Sequence, residues 1–214
     1  MTTKKWVIIA VTASIFLIGC AMIGPIMSDV EQPNYEVLSS VDNIEIRQYA
    51  PMIIAEVDVQ GKRKEAIGNG FRLLADYIFG NNTVEREIAM TAPVQQQANE
   101  KIAMTAPVHQ QQSSSNLWKV SFVMPAEYRL ETLPKPNNKS VKLNPLPAKR
   151  FIAIQFSGRN SGSTIAKYEK QLVQHIEKNQ IQTLSSPKYA FYNPPWTLPF
   201  LRRNEVMFEI NEGE

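Results

Sequence analysis

A quasi-duplicated α+β domain, with a mainly antiparallel sheet and two helices, is the fold class this sequence predicts, and three observations predict it. Short runs rich in apolar residues read as strands over 35–38, 44–49 and 52–59, and again over 117–124, 151–156, 189–192 and 206–210, with apolar and polar residues alternating in several of them. Two other segments carry apolar residues at helical spacing. The resulting order is strand, helix, strands, then strand, helix, strands, one arrangement used twice. A length of 214 residues and a hydrophobic content of 43% suit a single domain with its own core.

The start of the chain is an address rather than fold. Lys4 and Lys5 precede an apolar run over 6–18 that ends in Leu17-Ile18-Gly19-Cys20, the build of an export signal. That ending resembles the lipobox of bacterial lipoproteins, so residues 1–19 are expected to be removed and Cys20, the only cysteine, to carry the lipid. The alternative is an uncleaved anchor, since no charge occurs over 6–27, close to the roughly 20 residues a spanning helix needs. Gly24-Pro25 speaks against a continuous span. Ala21 follows Cys20 where an acidic residue favours inner-membrane retention, so the expected location is the cell envelope, with the outer membrane preferred. One cysteine excludes a disulfide framework. Without Lys4 and Lys5 the formal charge of +3 falls to +1, too small for a nucleic-acid footprint.

Residues 20–34 read as a tether and 35–214 as the domain. The first helix carries Ile67, Phe71, Leu74, Tyr77 and Ile78 on one stripe, with Lys64, Arg72 and Asp76 elsewhere, and stops at Gly80-Asn81-Asn82. Gly68 and Gly70 inside it each cost about 1 kcal/mol relative to Ala, so they serve either tight packing on the sheet or close approach of another group. A direct repeat follows: Ile88-Ala89-Met90-Thr91-Ala92-Pro93-Val94 recurs as Ile102-Ala103-Met104-Thr105-Ala106-Pro107-Val108. Each copy is expected to be a strand that stops at its proline. The polar stretch 110–116 is expected to be a solvated loop, and the proline-rich connection 134–147 to lack regular structure. The second helix has Ser161 or Ser163 as its cap and Ile165, Tyr168, Leu172, Val173 and Ile176 as its stripe.

Past residue 192 the sequence becomes specific. Tyr192-Asn193-Pro194-Pro195-Trp196-Thr197-Leu198-Pro199-Phe200-Leu201-Arg202-Arg203-Asn204-Glu205-Val206, together with the Ile-Ala-Met-Thr-Ala-Pro-Val segments, closely resembles the SOUL haem-binding protein family over about 35–210. The resemblance implies a distorted antiparallel β-barrel of two related halves with a helix against each, similar to bacterial effector-binding domains. It also implies haem or another tetrapyrrole in an apolar groove beside the first helix. Carried onto this chain, that groove would involve Phe71, Leu74, Ala75 and Ile78, with Arg72 on a cationic rim beside Lys62, Arg63 and Lys64, and the Tyr192 segment nearby. The helix stripe by itself is equally an ordinary core face.

Candidate iron ligands are few. The two histidines, His109 and His175, both lie away from the first helix, and Met90 and Met104 are the alternatives. Arg202 and Arg203 are expected to pair with carboxylates such as Glu205 or Glu209, and the Pro194-Pro195 run to fix a rigid corner. No Ser-His-Asp set, His-Glu-x-x-His helix, phosphate loop or carboxylate pair stands out, so binding rather than catalysis is expected. Two functions follow: a membrane-tethered tetrapyrrole binder, or an envelope module that takes a protein partner through its groove or glutamine-rich loop.

Overall fold

The structure is a computed structural model that describes residues 30–84 and 99–211. Cys20, Met90 and the first repeat copy lie outside the described residues. In chain order the elements are β1 (Tyr35–Val41), β2 (Ile44–Tyr49), β3 (Met52–Gln60), α1 (Arg63–Ile78), β4 (Asn82–Thr83), β5 (Val108–Ser114) and β6 (Leu117–Val123). They continue with β7 (Lys135–Pro136), β8 (Lys142–Leu146), β9 (Lys149–Phe156), α2 (Gly162–Lys178), β10 (Lys188–Phe191) and β11 (Asn204–Ile210). Nine strands form a curled antiparallel half-barrel in the order β1-β2-β9-β11-β10-β5-β6-β3-β8, and β4 pairs with β7 apart from it.

The duplication is built into this order. In one half, β3 leads through α1 to β5 and β6, and β6 lies between β5 and β3. In the other, β9 leads through α2 to β10 and β11, and β11 lies between β10 and β9. The halves meet where β5 pairs with β10, from Val108 opposite Phe191 to Gln111 opposite Lys188. Each half thus repeats a strand-helix-strand-strand unit, as the order of hydrophobic periods predicts.

Both helices cover the same face of the sheet. Leu74, Tyr77 and Ile78 of α1 pack with Ala55, Val57, Val120 and Phe122, while Leu172 and Ile176 of α2 pack with Ile152, Ile154, Val206 and Phe208. Ala66 and Ile67 of α1 join the second group, so the two helices share a continuous apolar layer. The strands' alternate residues point the other way, and there Tyr49, Phe151, Ala153, Ala190, Tyr192 and Met207 form a third cluster on the concave side. All three clusters are built from residues within 30–210, so a chain beginning near Val30 retains every described core residue.

Helix α2 begins as expected, with Ser161 Oγ accepting from Thr164 N–H at 3.2 Å. The two glycines of α1 divide the alternatives between them. A Cβ on Gly70 would stand 2.6 Å from Val120 Cγ2, whereas one on Gly68 would meet nothing within 4 Å. Gly70 therefore lets α1 lie close on β6, and Gly68 leaves the outward face bare.

Four expectations are corrected. The second repeat copy is not a strand ending at Pro107; it runs irregularly and β5 starts after it at Val108. Its polar groups bond to three separate stretches of chain instead of a ladder: Ile102 N–H to Ile78 C=O, Ala106 N–H to Glu31 C=O, and Thr105 Oγ1 to Val123 C=O. Residues 110–114 are strand rather than loop, because β6 and β10 flank β5 and ladder bonds outweigh the low strand propensity of glutamine. The connection 134–147 contains β7 and β8; Pro145 is tolerated because β8 is an edge strand paired only with β3. Phe71 does not belong with the buried stripe of α1, being 38% exposed.

Gly70→Ala is expected to destabilise the fold by about 1–3 kcal/mol through overpacking against Val120. Gly68→Ala is expected to stabilise it by up to about 1 kcal/mol, through helix propensity alone. Urea midpoints of the two variants moving in opposite directions would confirm the division, and equal shifts would contradict it.

Candidate functional site

The outward face of α1 is the first candidate. At about 100° per residue, Gly68, Phe71, Ala75 and the following Phe79 fall on one stripe directly opposite the buried Ala66, Gly70 and Tyr77. Phe71 stands edge-on over Phe122 with ring centroids 5.4 Å apart, and Phe79 is largely exposed. With a glycine and an alanine on either side of Phe71, the stripe is a shallow apolar strip on a solvent face that ordinarily carries charge. Lys64 and Arg72 border it, both exposed, and Arg72 Nη2 donates to Asn69 Oδ1. The second repeat copy passes the end of the helix through the Ile102–Ile78 bond, with Met104 partly exposed. Leu74 and Ile78, by contrast, are fully buried beneath the strip and support it from below.

The concave face is the second. Its cavity of about 200 Å³ is bordered by Glu56, His109, Lys119, Lys149, Lys188 and Glu209. Lys119 pairs with Glu56 and Lys149 with Glu209, each at 2.7 Å. The Lys188 ammonium instead lies 4.9 Å from the Phe151 ring centre, and burial lowers its pKa to about 8. His109 is held between Ala190 and Ser121 in the ladder, and burial, then the charge of Lys188, pushes its pKa down to about 3. Its imidazole is therefore neutral at physiological pH.

The third candidate is a cavity of about 410 Å³ that opens at the β3–β8 edge between the 31–34 segment and the 124–131 loop. Met52, Ile53, Met124, Leu130 and Leu146 wall it, with Arg129 at its margin. Sequence periodicity missed these residues because they come from a strand end and an irregular loop.

Tyr192 sits in none of these openings. It is buried in the concave cluster, where its hydroxyl donates to Glu205 Oε2 at 2.9 Å, and burial raises its pKa well above the ordinary value. Glu205, fully buried, also accepts from Arg47 Nη1 at 2.9 Å and from Arg203 Nε and Nη2 at 2.9 and 2.7 Å. Desolvation opposes the charge of Arg47, but Glu205 outweighs it and raises its pKa. Arg203 fulfils the expected pairing with Glu205, whereas Arg202 donates to the backbone of Thr197 and Pro195.

The structure thus keeps Phe71, Arg72 and Ala75 together and places Tyr192 on the opposite face of the sheet. It brings neither histidine to α1. His109 faces the concave side, and His175 is a half-buried residue of α2. Among the described residues no group of three or more His, Cys, Asp or Glu forms a metal cluster, and no helix is long and apolar enough to cross a membrane.

His109 carries a pH dependence of known sign. Its folded pKa is below the ordinary 6.5, so the stability tied to its neutral form is complete above 6.5 and is lost as pH falls from there toward 3. Between pH 7 and pH 5 the loss is expected to be roughly 2 kcal/mol, and His109→Gln is expected to remove that slope in urea titrations. Glu205→Gln is expected to cost about 3–5 kcal/mol by leaving Arg203 without its carboxylate and the buried Arg47 with Glu45 alone, read as a fall in the thermal midpoint.

Among solved structures, the C-terminal domain of EcmrR shares the fold with a TM-score of 0.54 at 11% identity, covering 83% of this chain and 98% of that one. A crystal structure described as a hydrolase from Listeria innocua gives 0.51 at 12% identity over 81% of this chain and 94% of that one. At such identities the likeness is one of fold alone. No curated protein matches the sequence. The sequence does match the family described as SOUL heme-binding protein over residues 30–209, which takes in both helices and all of the half-barrel but the last residue of β11, and the chain belongs to that family.

Proposed function

We propose that this chain binds haem or a related tetrapyrrole on the outward face of α1, and that acylation at Cys20 tethers it to a membrane of the cell envelope. Membership of a haem-binding family is the observation that carries the ligand class. The strip of Gly68, Phe71 and Ala75 supports the location: a macrocycle needs a flat apolar surface, and the open space at Gly68 is the room a Cβ would fill. Lys64 and Arg72 stand where the carboxylates of the ligand would emerge. The concave cavity, at about 200 Å³ and bordered by five charged side chains, is below the roughly 300–1,000 Å³ of ordinary ligand pockets.

With His109 and His175 both away from α1, the proposed mode is contact with the macrocycle and its carboxylates rather than axial ligation by histidine. Haem bound this way would keep an exposed iron face, which suits a carrier or buffer more than an electron-transfer centre. No constellation of acid, base and nucleophile among the described residues supports a catalytic role.

Hemin titration tests this. Phe71→Glu is expected to weaken the Soret shift at least tenfold, Arg72→Glu by a smaller factor, and His109→Ala or His175→Ala hardly at all. A shift no larger than that given by an unrelated carrier protein would reject the ligand class. A loss confined to Leu130→Glu would instead place the ligand in the 410 Å³ cavity.

A further inference from the structure

We propose that the corner joining β10 to β11 is a membrane-seating surface, which inserts Trp196 and Phe200 among the headgroups of an anionic bilayer. Within residues 196–201 the corner exposes Trp196 (59%), Phe200 (70%), Leu198 (37%) and Leu201 (40%), more large apolar surface than any other short segment described here. Flexibility does not explain this exposure, because the backbone beneath is tied at several points. Thr197 N–H donates to Pro194 C=O at 3.1 Å, Leu201 N–H to Leu198 C=O at 2.9 Å, and Gly158 N–H to Pro199 C=O at 2.8 Å. Arg202 clamps the corner from one end, donating to the carbonyls of Thr197 at 2.7 Å and Pro195 at 2.5 Å. A rigid corner cannot fold its own apolar side chains inward, so they are presented outward with little ordering left to lose.

Two observations select a lipid surface as the occupant. The first is charge: no Asp or Glu occurs from 187 to 204, while Arg159, exposed beside Gly158, and Arg202 flank the apolar side chains. Cations around an apolar tip match an anionic headgroup layer, and they oppose docking of a second, identical copy of the same corner. The second is where the chain leaves the fold. Arg203 bonds to Gln32 Oε1 and to the Tyr35 hydroxyl, both at 3.1 Å, and its N–H donates to Asn193 Oδ1 at 2.6 Å. The segment running back toward the apolar N-terminal stretch therefore departs beside this corner. Cys20 is twelve residues before Gln32, at most about 40 Å of extended chain. Trp196 has the amphipathic ring favoured at membrane interfaces.

The inference is independent of haem binding, its support from the N-terminal segment holds whether that segment is acylated at Cys20 or is an uncleaved apolar anchor, and the vesicle test uses neither haem nor acylation. The chain from Asp29 onward, which retains every described core residue, is mixed with vesicles of phosphatidylglycerol and phosphatidylethanolamine. Co-sedimentation is expected, with a blue-shifted Trp emission arising from Trp196, since Trp118 is already buried. The double variant Trp196→Ser, Phe200→Ser is expected to lower the partition coefficient by roughly tenfold or more while its circular dichroism melt stays unchanged, both side chains being exposed. On the full chain carrying Trp6→Phe and reconstituted with brominated lipids, Trp196→Phe is expected to remove the quenched fraction of the emission. Equal partition of wild type and double variant would overturn the proposal, as would failure of the wild type to partition. So would concentration-dependent dimerisation lost in the double variant without vesicle binding, which would make a second copy the occupant.

Discussion

The seam between β5 and β10 is the contact on which the half-barrel depends. Each half closes its own three-strand unit, but the sheet becomes one surface only through four residue pairs, Val108 to Gln111 against Phe191 to Lys188. Arg63, at the start of α1, lies across this seam. Its guanidinium stands 5.8, 5.5 and 5.8 Å from the ring centres of Trp118, Tyr189 and Phe191, and its Nη2 donates to Gln110 at 2.8 Å. Burial lowers the pKa of Arg63, and the rings from both halves compensate by offering their negative faces. One side chain of α1 thereby touches β5 and β6 on one side and β10 on the other, and ties helix position to the joining of the halves.

The two faces of the sheet solve different problems. On the helix side the core is apolar apart from Arg63 and its partner Gln110, and its main cost is close fit, most acute at Gly70 against Val120. On the concave side there is no covering layer, so charged groups penetrate and must be matched. Glu205 is matched by Arg47 from β2 and Arg203 at the end of the corner, and Arg47 also pairs with Glu45 at 2.7 Å, with hydroxyls of Tyr192 and Tyr49 completing the set around Arg47 and Glu205. This ionic node fixes the angle at which the corner leaves β11. Removing one partner leaves a buried charge without its counterpart, so the node constrains the corner more than it stabilises the fold.

What was legible in the sequence follows from how local the signal is. Ile44–Tyr49 and both helices are set by periodicity within one element, and their duplicated order carried the topology. The glutamines of β5 were not legible, because their strand state is imposed by β6 and β10 from outside. Pro107 carries the signal of a strand stop yet precedes a start, since the segment before it satisfies its polar groups on α1, on Glu31 and on Val123. At the candidate site, the apolar character of Phe71 was visible, but its outward direction was not. Its spacing from Ile67, Leu74 and Ile78 fits a broad stripe, and only Gly70, by drawing the helix onto Val120, sets which edge of that stripe faces solvent.

That direction decides what kind of binder the proposed function describes. A pocket enclosed between helix and sheet would exclude water and could hold iron through a histidine, but the described layer between α1 and β6 is filled by Leu74, Val120 and Phe122. The outward strip offers a single apolar wall and two exposed cations. A ligand lying there gains area on one side only, so recognition by shape is weak and release is fast. Its other side stays open to solvent or, if the β10–β11 corner seats the domain on a bilayer, to whatever the membrane surface brings near. A binder of this kind works by holding a hydrophobic anion briefly at a defined place. Such a role needs neither the axial histidine nor the enclosed pocket that a redox haem protein would require.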